Sequence, residues 1–274
     1  MSTPESSAAP GSRLPVYYIS HGGGPWPWMP ERDTAYRELA ASLARMPAEV
    51  GRDPRAILMV SAHWEAPEFT VQRAARPGMV YDYGGFPAYT YAVQYPSAGD
   101  PALADRVSVL LRAAGLAVAQ DDERGYDHGM FSPMQAMYPD ARVPVVQLSL
   151  KRGLDPQAHL VLGQALAPLR DEDVLIVGSG LSYHNLRAFG PPGHAASQAF
   201  DAWLSEAVQQ PQAERDARLR AWTDAPAARL AHPREEHLLP LMVAAGAAGA
   251  DVGRHSYHQR DFMGGLTVSS YRFG

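Results

Sequence analysis

The sequence predicts an α/β protein, a single domain with a mostly parallel central sheet covered by helices on both faces. Three observations carry this expectation. Short, near-continuous apolar runs at 56–60, 143–148 and 174–177 have the character of strands buried on both faces. Segments with apolar residues three and four apart alternate with those runs, as helices crossing between parallel strands do. No Ser/Gly/Pro-rich linker or charge run divides the interior, so the 274 residues read as a flexible leader over 1–13 and one domain over 14–274.

The elements follow in order. VYYIS (16–20) is a short strand that stops at HGGGPWPWMP, where glycines and prolines forbid regular structure, so the strand delivers His21 onto a loop. TAYRELAASLARM (34–46) is an amphipathic helix, and AILMVSAHW (56–64) is a buried strand with His63 at its end. Residues 67–96, rich in Tyr, Pro and Gly, form a long excursion with one edge strand; excursions of that length often cover a site. A helix over 102–115 closes at Gly115 and is followed by a strand at 116–120 and a loop, DDERGYDHG, that carries His128. A short helix over 131–139, a strand over 143–150, a helix over 156–170 and a strand over 174–180 come next, with His184 just beyond. Helices are expected over 195–210, 213–222 and 233–249, the last with Pro233 at its first position, before two β runs that finish the chain.

Composition removes several function classes. The 24 basic and 29 acidic residues give a formal net charge of −5 and a sequence pI near 6.0, which disfavours nucleic acid as a partner. No apolar run approaches the 18 or more residues of a membrane span, and MSTPESSAAPGSR lacks the basic start and apolar stretch of a signal peptide, so a soluble cytoplasmic protein is expected. Zero cysteines exclude disulfides, thiolate zinc sites, iron–sulfur clusters and cysteine nucleophiles. GGGPWP (22–27) lacks the G-x-G-x-x-G and GK[ST] patterns and puts prolines where amides would cradle phosphate, so neither a nucleotide nor a flavin is expected. VGSG (177–180) is not the G-x-S-x-G of a serine hydrolase.

Ten histidines are present, and four of them, His21, His63, His128 and His184, each follow a strand or sit on a loop beside one. Ligands of open α/β sheets gather outside the carboxyl ends of the strands, so the four are expected to share a pocket. Without cysteine, a three-histidine or two-histidine-plus-carboxylate metal site is the expected chemistry. His232 and His237 in HPREEH lie five apart, roughly 140° around a helix, so both cannot grip one ion from one helical face. His232 is expected near the N-cap and His237 inside the helix, projecting into the pocket. Glu235 and Glu236 suit a helix N-terminus, and one of them is a candidate to orient a ligand histidine. Trp26, Trp28, Tyr81, Tyr83 and Phe86 are candidates for an aromatic pocket wall, against the plainer reading that they pack a long loop. Residues 81–95 are expected to lie over the metal pocket. His159, His194, His255 and His258 are not expected to be ligands. Arg124, Arg187 and Arg234 are alternatives for meeting a charge on the substrate.

SHGGGPW, SAHWE, YDYGGFP, YDHGMFSPM, VGSGLSYHNL and HPREEHLLPL occur in this order, and together with the segments between them the chain from 14 to 274 resembles the class III extradiol ring-cleavage dioxygenases. The likeness is nearest to their DOPA 4,5-dioxygenase-like branch and extends to the catalytic subunit of protocatechuate 4,5-dioxygenase. The resemblance implies an enzyme that uses one non-haem Fe(II) and O₂ to open a small aromatic diol, catechol-type and DOPA-like, beside the hydroxyls. It implies His21, His63 and His237 as metal ligands, His184 as the acid–base residue with a fourth ligand position as its alternative, and His128 as a hydrogen-bonding orienter. Substrate-pocket residues are expected to be Trp26, Tyr83 and Phe86. An all-histidine set also suits Zn(II). A neutral imidazole beside the diol is a suitable base at neutral pH. The rivals are a zinc-dependent hydrolase built on the same histidines and a non-catalytic binding protein on the same fold. A monomer or homodimer is expected.

Overall fold

The computed structural model describes residues 13–274. The leader expected over 1–13 therefore lies outside the described residues, except for Arg13, which pairs with Asp171 at 2.8 Å. Among the described residues one sheet is built from β1 (Val16–Ser20), β2 (Ala56–Ala66), β3 (Phe69–Gln72), β4 (Val118–Asp121), β5 (Val145–Lys151), β6 (Val174–Gly180), β7 (Gly253–Phe262) and β8 (Leu266–Phe273). Its spatial order is β4-β3-β5-β2-β6-β1-β8-β7. The pairs β1–β6, β2–β6, β2–β5 and β3–β4 are parallel, whereas β1–β8, β7–β8 and β3–β5 are antiparallel. The sheet is therefore mixed, with a parallel centre and an antiparallel hairpin on one flank.

The helices are α1 (Asp33–Val50), α2 (Pro101–Ala113), α3 (His128–Met137), α4 (Pro156–Leu166), α5 (His194–Val208), α6 (Gln212–Arg220), α7 (Ala228–Ala231) and α8 (Leu239–Ala248). Every residue of β1 and β6 is buried, so both pleat faces are covered, as the unbroken apolar runs require. Adjacent residues of β6 show what covers them. A Cβ on Gly178 would meet the carbonyl oxygen of Pro240 in α8 at 2.2 Å, while the next residue, Ser179, donates from its hydroxyl to Gly129 O in α3. All ten residues of α8 are buried, which explains why its sequence is apolar on every side. Among the described residues no helix is long and apolar enough to cross a membrane.

Three expectations change. The strand inside the excursion, β3, is not at the edge; it lies between β4 and β5 and is buried throughout. β2 runs past His63 to Ala66, but its register with β5 slips between Val60 and Glu65, so His63 stands on an irregular stretch rather than at the strand's end. The helix expected from Pro233 begins only at Leu239, and HPREEH is a turn. Pro240 favours the later start, although α1 and α3 do hold Pro47 and Pro133 inside them. At the first helical turn the missing N–H of Pro240 costs nothing, whereas a helix begun at Pro233 would put Pro240 in the interior, against the carbonyl of Glu236.

Candidate metal centre

The parallel centre of the sheet sends three histidines to one edge. β1, β6 and β2 are neighbours running the same way; His21 and His184 lie beyond the carboxyl ends of β1 and β6, and His63 lies on the part of β2 past its last pair with β6. The His21 amide extends the β1–β6 ladder by one bond to Gly180 O at 3.0 Å, and Trp26 Nε1 donates to His21 O at 2.8 Å. His63 follows the last β2–β6 pair, Ser61 with Ser179, and its amide bonds Ser61 Oγ at 3.2 Å. His184 is fixed by its own amide to Ala231 O at 2.9 Å. His128 opens α3, and His237 sits on the turn before α8. That turn lies against β6 because Gly180 has no side chain; a Cβ there would meet His237 O at 2.0 Å. Tyr18 Oη and the Leu181 amide both donate to the same His237 carbonyl.

His21, His63, His128, His184 and His237 all line one cavity of about 430 Å³. The ring centres of His21, His63 and His237 form a nearly equilateral triangle of 4.9, 4.9 and 5.2 Å, with planes inclined by 69°, 87° and 47°. Two imidazoles bound to one ion at about 2.1 Å, with ligand angles of about 90–110°, would have ring centres about 4.6–5.3 Å apart. His21, His63 and His128 bring one ring nitrogen each to within 4.8 Å of one another, and His237 does so with His184 and Glu236. The His63–His128 ring separation of 3.9 Å is shorter than two ligands of one ion give, and we favour the trio of His21, His63 and His237. His184 stacks on His237 at 3.4 Å with only 18° between planes, so their in-plane lone pairs run side by side instead of converging.

Two carboxylates organise these rings. Asp82 takes His128 Nδ1 at 2.8 Å on one oxygen and His63 Nδ1 at 3.1 Å on the other. Glu236 Oε1 lies 2.9 Å from the Nδ1 atoms of both His184 and His237. Burial pushes the Asp82 carboxyl upward, but hydrogen bonds from His128 and His63 outweigh it and hold Asp82 well below the usual carboxylate range. Glu236 behaves alike: burial is opposed by the bond from His184, and the net shift is downward. Burial, reinforced by neighbouring imidazoles, pushes His21 and His237 well below the ordinary histidine value, and His128 is lowered by burial and by His63. An ionised carboxylate only accepts, so each Nδ1 it holds carries the proton and each Nε2 is left as a bare lone pair. His21 is 2% exposed, and neither of its ring nitrogens has a hydrogen-bond partner among the described residues. A buried unpaired nitrogen costs about 1–3 kcal/mol, and a cation is the partner that this nitrogen-rich cluster fits.

Other sequence expectations distribute differently. His232 is apart from the cluster, fully buried between Phe200 and Trp222 with Nε2 3.0 Å from Ser182 O; the helical-angle argument does not apply, because neither it nor His237 is inside a helix. Phe86 lines the cavity, but Trp26 and Tyr83 do not. Trp26 is used up beneath the loop by its bond to His21 O and its stacking on Tyr36 at 4.8 Å. Tyr83 donates to Thr90 O at 2.6 Å and packs on Phe131 and on the His128 ring from outside the cavity. Of the excursion's residues 81–95, Asp82 and Phe86 reach the cavity wall. Arg124 pairs with buried Asp127 at 3.0 Å, Arg234 grips Glu65, and none of Arg124, Arg187 and Arg234 lines the cavity. The arginine that does is Arg32, which sequence reasoning missed, as it missed Asp82. Asp82 had a signal: it is the acidic residue inside YDYGGFP, the segment already singled out for its aromatics.

Residues 15–274 match the family described as the catalytic LigB subunit of aromatic ring-opening dioxygenase. The chain belongs to the LigB family. It is a ring-cleavage dioxygenase, an oxidoreductase that acts on an aromatic ring with O₂. This LigB-family chain is 41% identical to the 4,5-DOPA dioxygenase extradiol of Beta vulgaris over 81% of its own length and 84% of that protein. It is 39% identical to dioxygenase tasH of Hapsidospora irregularis, over 95% of its own length and 85% of the relative. The crystal structure of the uncharacterised protein JW3007 from Escherichia coli K12 superposes with a TM-score of 0.77 at 29% identity, covering 96% of this LigB-family chain and all of the other.

Proposed function

We propose that this protein opens catechol-type rings, DOPA-like ones among them, beside the diol, with His21, His63 and His237 holding one Fe(II). The single observation that carries this reading is the triangle of three inclined imidazoles, two of whose Nε2 atoms approach to 3.2 Å while their Nδ1 atoms are held by carboxylates. Three neutral nitrogens without a bound carboxylate suit Zn(II) equally, so zinc is the ion expected to occupy the site in aerobically purified protein. Held by His21, His63 and His237, Fe(II) would supply Lewis-acid activation of the diol and of O₂.

The chain's own residues do the rest. His184, held through Nδ1 by Glu236, keeps Nε2 free to take a proton from a diol hydroxyl and to return it as the ring opens. His128, held by Asp82 through both its amide and its ring, orients the second hydroxyl. Phe86, Leu181, Phe189 and Phe262 exclude water and flank the aromatic plane. A reducing cytoplasm, which keeps iron ferrous, suits this chemistry, and the single-chain cavity suits a monomer or homodimer.

The test is anaerobic reconstitution with Fe(II), followed by air and a panel of DOPA, protocatechuate, gallate and catechol. A yellow ring-opened product with one O₂ consumed per catechol is the expected result. Activity with Zn(II) on esters or amides, and none with Fe(II) on any catechol, would replace the reading with a hydrolase.

A further inference from the structure

The ring-opening reading leaves the part of the cavity beyond the histidines unexplained. At about 430 Å³ the cavity falls in the range of about 300–1,000 Å³ that small-molecule pockets occupy, more than a bare diol ring fills. Its wall there is Tyr36, Phe86, Leu186, Phe189, Phe262 and Met263, with one fixed cation, Arg32. Arg32 closes the short 3₁₀ turn Pro30–Arg32, with its amide bonded to Met29 O at 2.8 Å, and its guanidinium carbon lies 5.4 Å from the centre of the Phe86 ring. The side chain is half-buried and shares the cavity wall with Tyr36, whose hydroxyl takes the Gly23 amide at 3.1 Å. Among the described residues no carboxylate forms an ion pair with Arg32, whereas Arg73, Arg106, Arg124, Arg170 and Arg234 each have one. The cavity's one carboxylate, Asp82, is committed to two histidines.

We infer that Arg32 is the anion-binding residue of this pocket, and that the pocket selects catechols with a carboxylate arm over those with an ammonium or an apolar arm. A guanidinium steadied on an aromatic face and lacking an internal partner is suited to a planar, bidentate anion. An ammonium arm finds no uncommitted carboxylate in the wall and meets the Arg32 charge instead. The inference rests on the ring-opening reading, so its test must separate the two.

The experiment is calorimetric titration of the Fe(II)-loaded enzyme under nitrogen with 3-(3,4-dihydroxyphenyl)propanoate, 4-propylcatechol and dopamine. In the unaltered protein the propanoate should bind about tenfold tighter than either of the others, the size expected of one partly solvated charge-assisted contact. Arg32→Gln should bring the propanoate-to-propyl ratio to about one, and Arg32→Lys should restore part of it; the ratio cancels any general loss in the pocket. An unchanged ratio in Arg32→Gln, or dopamine binding as tightly as the propanoate, would overturn the assignment and leave ring opening standing. Failure of all three to bind would overturn the catechol reading and Arg32's role with it.

Discussion

His63 Nε2 lies 3.2 Å from His237 Nε2. No hydrogen bond explains the approach, because Asp82 and Glu236 hold the opposite nitrogens of the two rings and so fix the protons there. Two lone pairs facing at that distance repel unless a cation lies between them, and nitrogens about 2.1 Å from one ion with an angle near 100° would be about 3.2 Å apart. The carboxylates thus set tautomer and ring direction, as partners of metal-bound histidines commonly do.

Asp82→Asn should test that role. The two histidines use different oxygens of Asp82, and an amide puts an NH₂ donor in place of one of them, so the His63 or the His128 ring loses its acceptor and must turn or change tautomer. Metal affinity is expected to fall about 10–100-fold, measured by competition with a chelator. The melting temperature of the metal-free protein should stay within about 3 °C, which separates misdirected ligands from a damaged fold.

Replacing His184 by Ala should behave unlike replacing His63. The His184 variant is expected to retain metal and lose on the order of 10²–10⁴-fold in kcat, the scale of a lost acid–base group. His63→Ala should leave less than about a tenth of the metal by elemental analysis, since a ligand and not a base is gone. Metal loss in His184→Ala would place that ring among the ligands despite its stacking on His237.

Phe86→Ala should raise KM for a catechol about tenfold, or lower kcat, with metal content unchanged, because Phe86 lines the cavity and its phenyl ring offers an ion no ligand atom. Tyr83→Ala acts through the excursion it staples to Thr90 O, so its effect on KM should be the smaller.

Stability should fall in acid through a histidine remote from the metal. His159 is fully buried, with Nδ1 2.7 Å from Asp155 O and Nε2 accepting the Lys151 amide, a pattern only the neutral ring satisfies. Burial lowers it from 6.5 to about 4. Between those values the unfolded chain binds the extra proton, so stability is fully present above about pH 6.5 and declines as pH falls toward 4. Urea unfolding should register a loss on the order of 2 kcal/mol from pH 7.5 to pH 5, and His159→Gln should remove that part of the slope.

The strands and the first three pocket histidines were legible because their signals are local. An apolar run that ends in glycine or histidine marks both a buried strand and its carboxyl edge, and β6 falls on the expected 174–180. What escaped depends on distant partners. His237 was placed inside a helix because HPREEH resembles a helix start, and only packing of the turn on Gly180, with Pro240 at the first helical turn, shows otherwise. Asp82 lies 46 residues from His128, and nothing in its own neighbourhood states that it holds two imidazoles. Trp26 and Phe86 look equivalent as aromatics, yet the loop's inner side takes one and the cavity the other.

Anomalous diffraction at the metal edge, from crystals loaded with Zn(II) or anaerobically with Fe(II), tests the central claim most directly. The account predicts one peak with nitrogens of His21, His63 and His237 at about 2.0–2.2 Å, and with His128 and His184 outside bonding distance. A peak bonded to His128 in place of His237, or no peak among these rings, would contradict it.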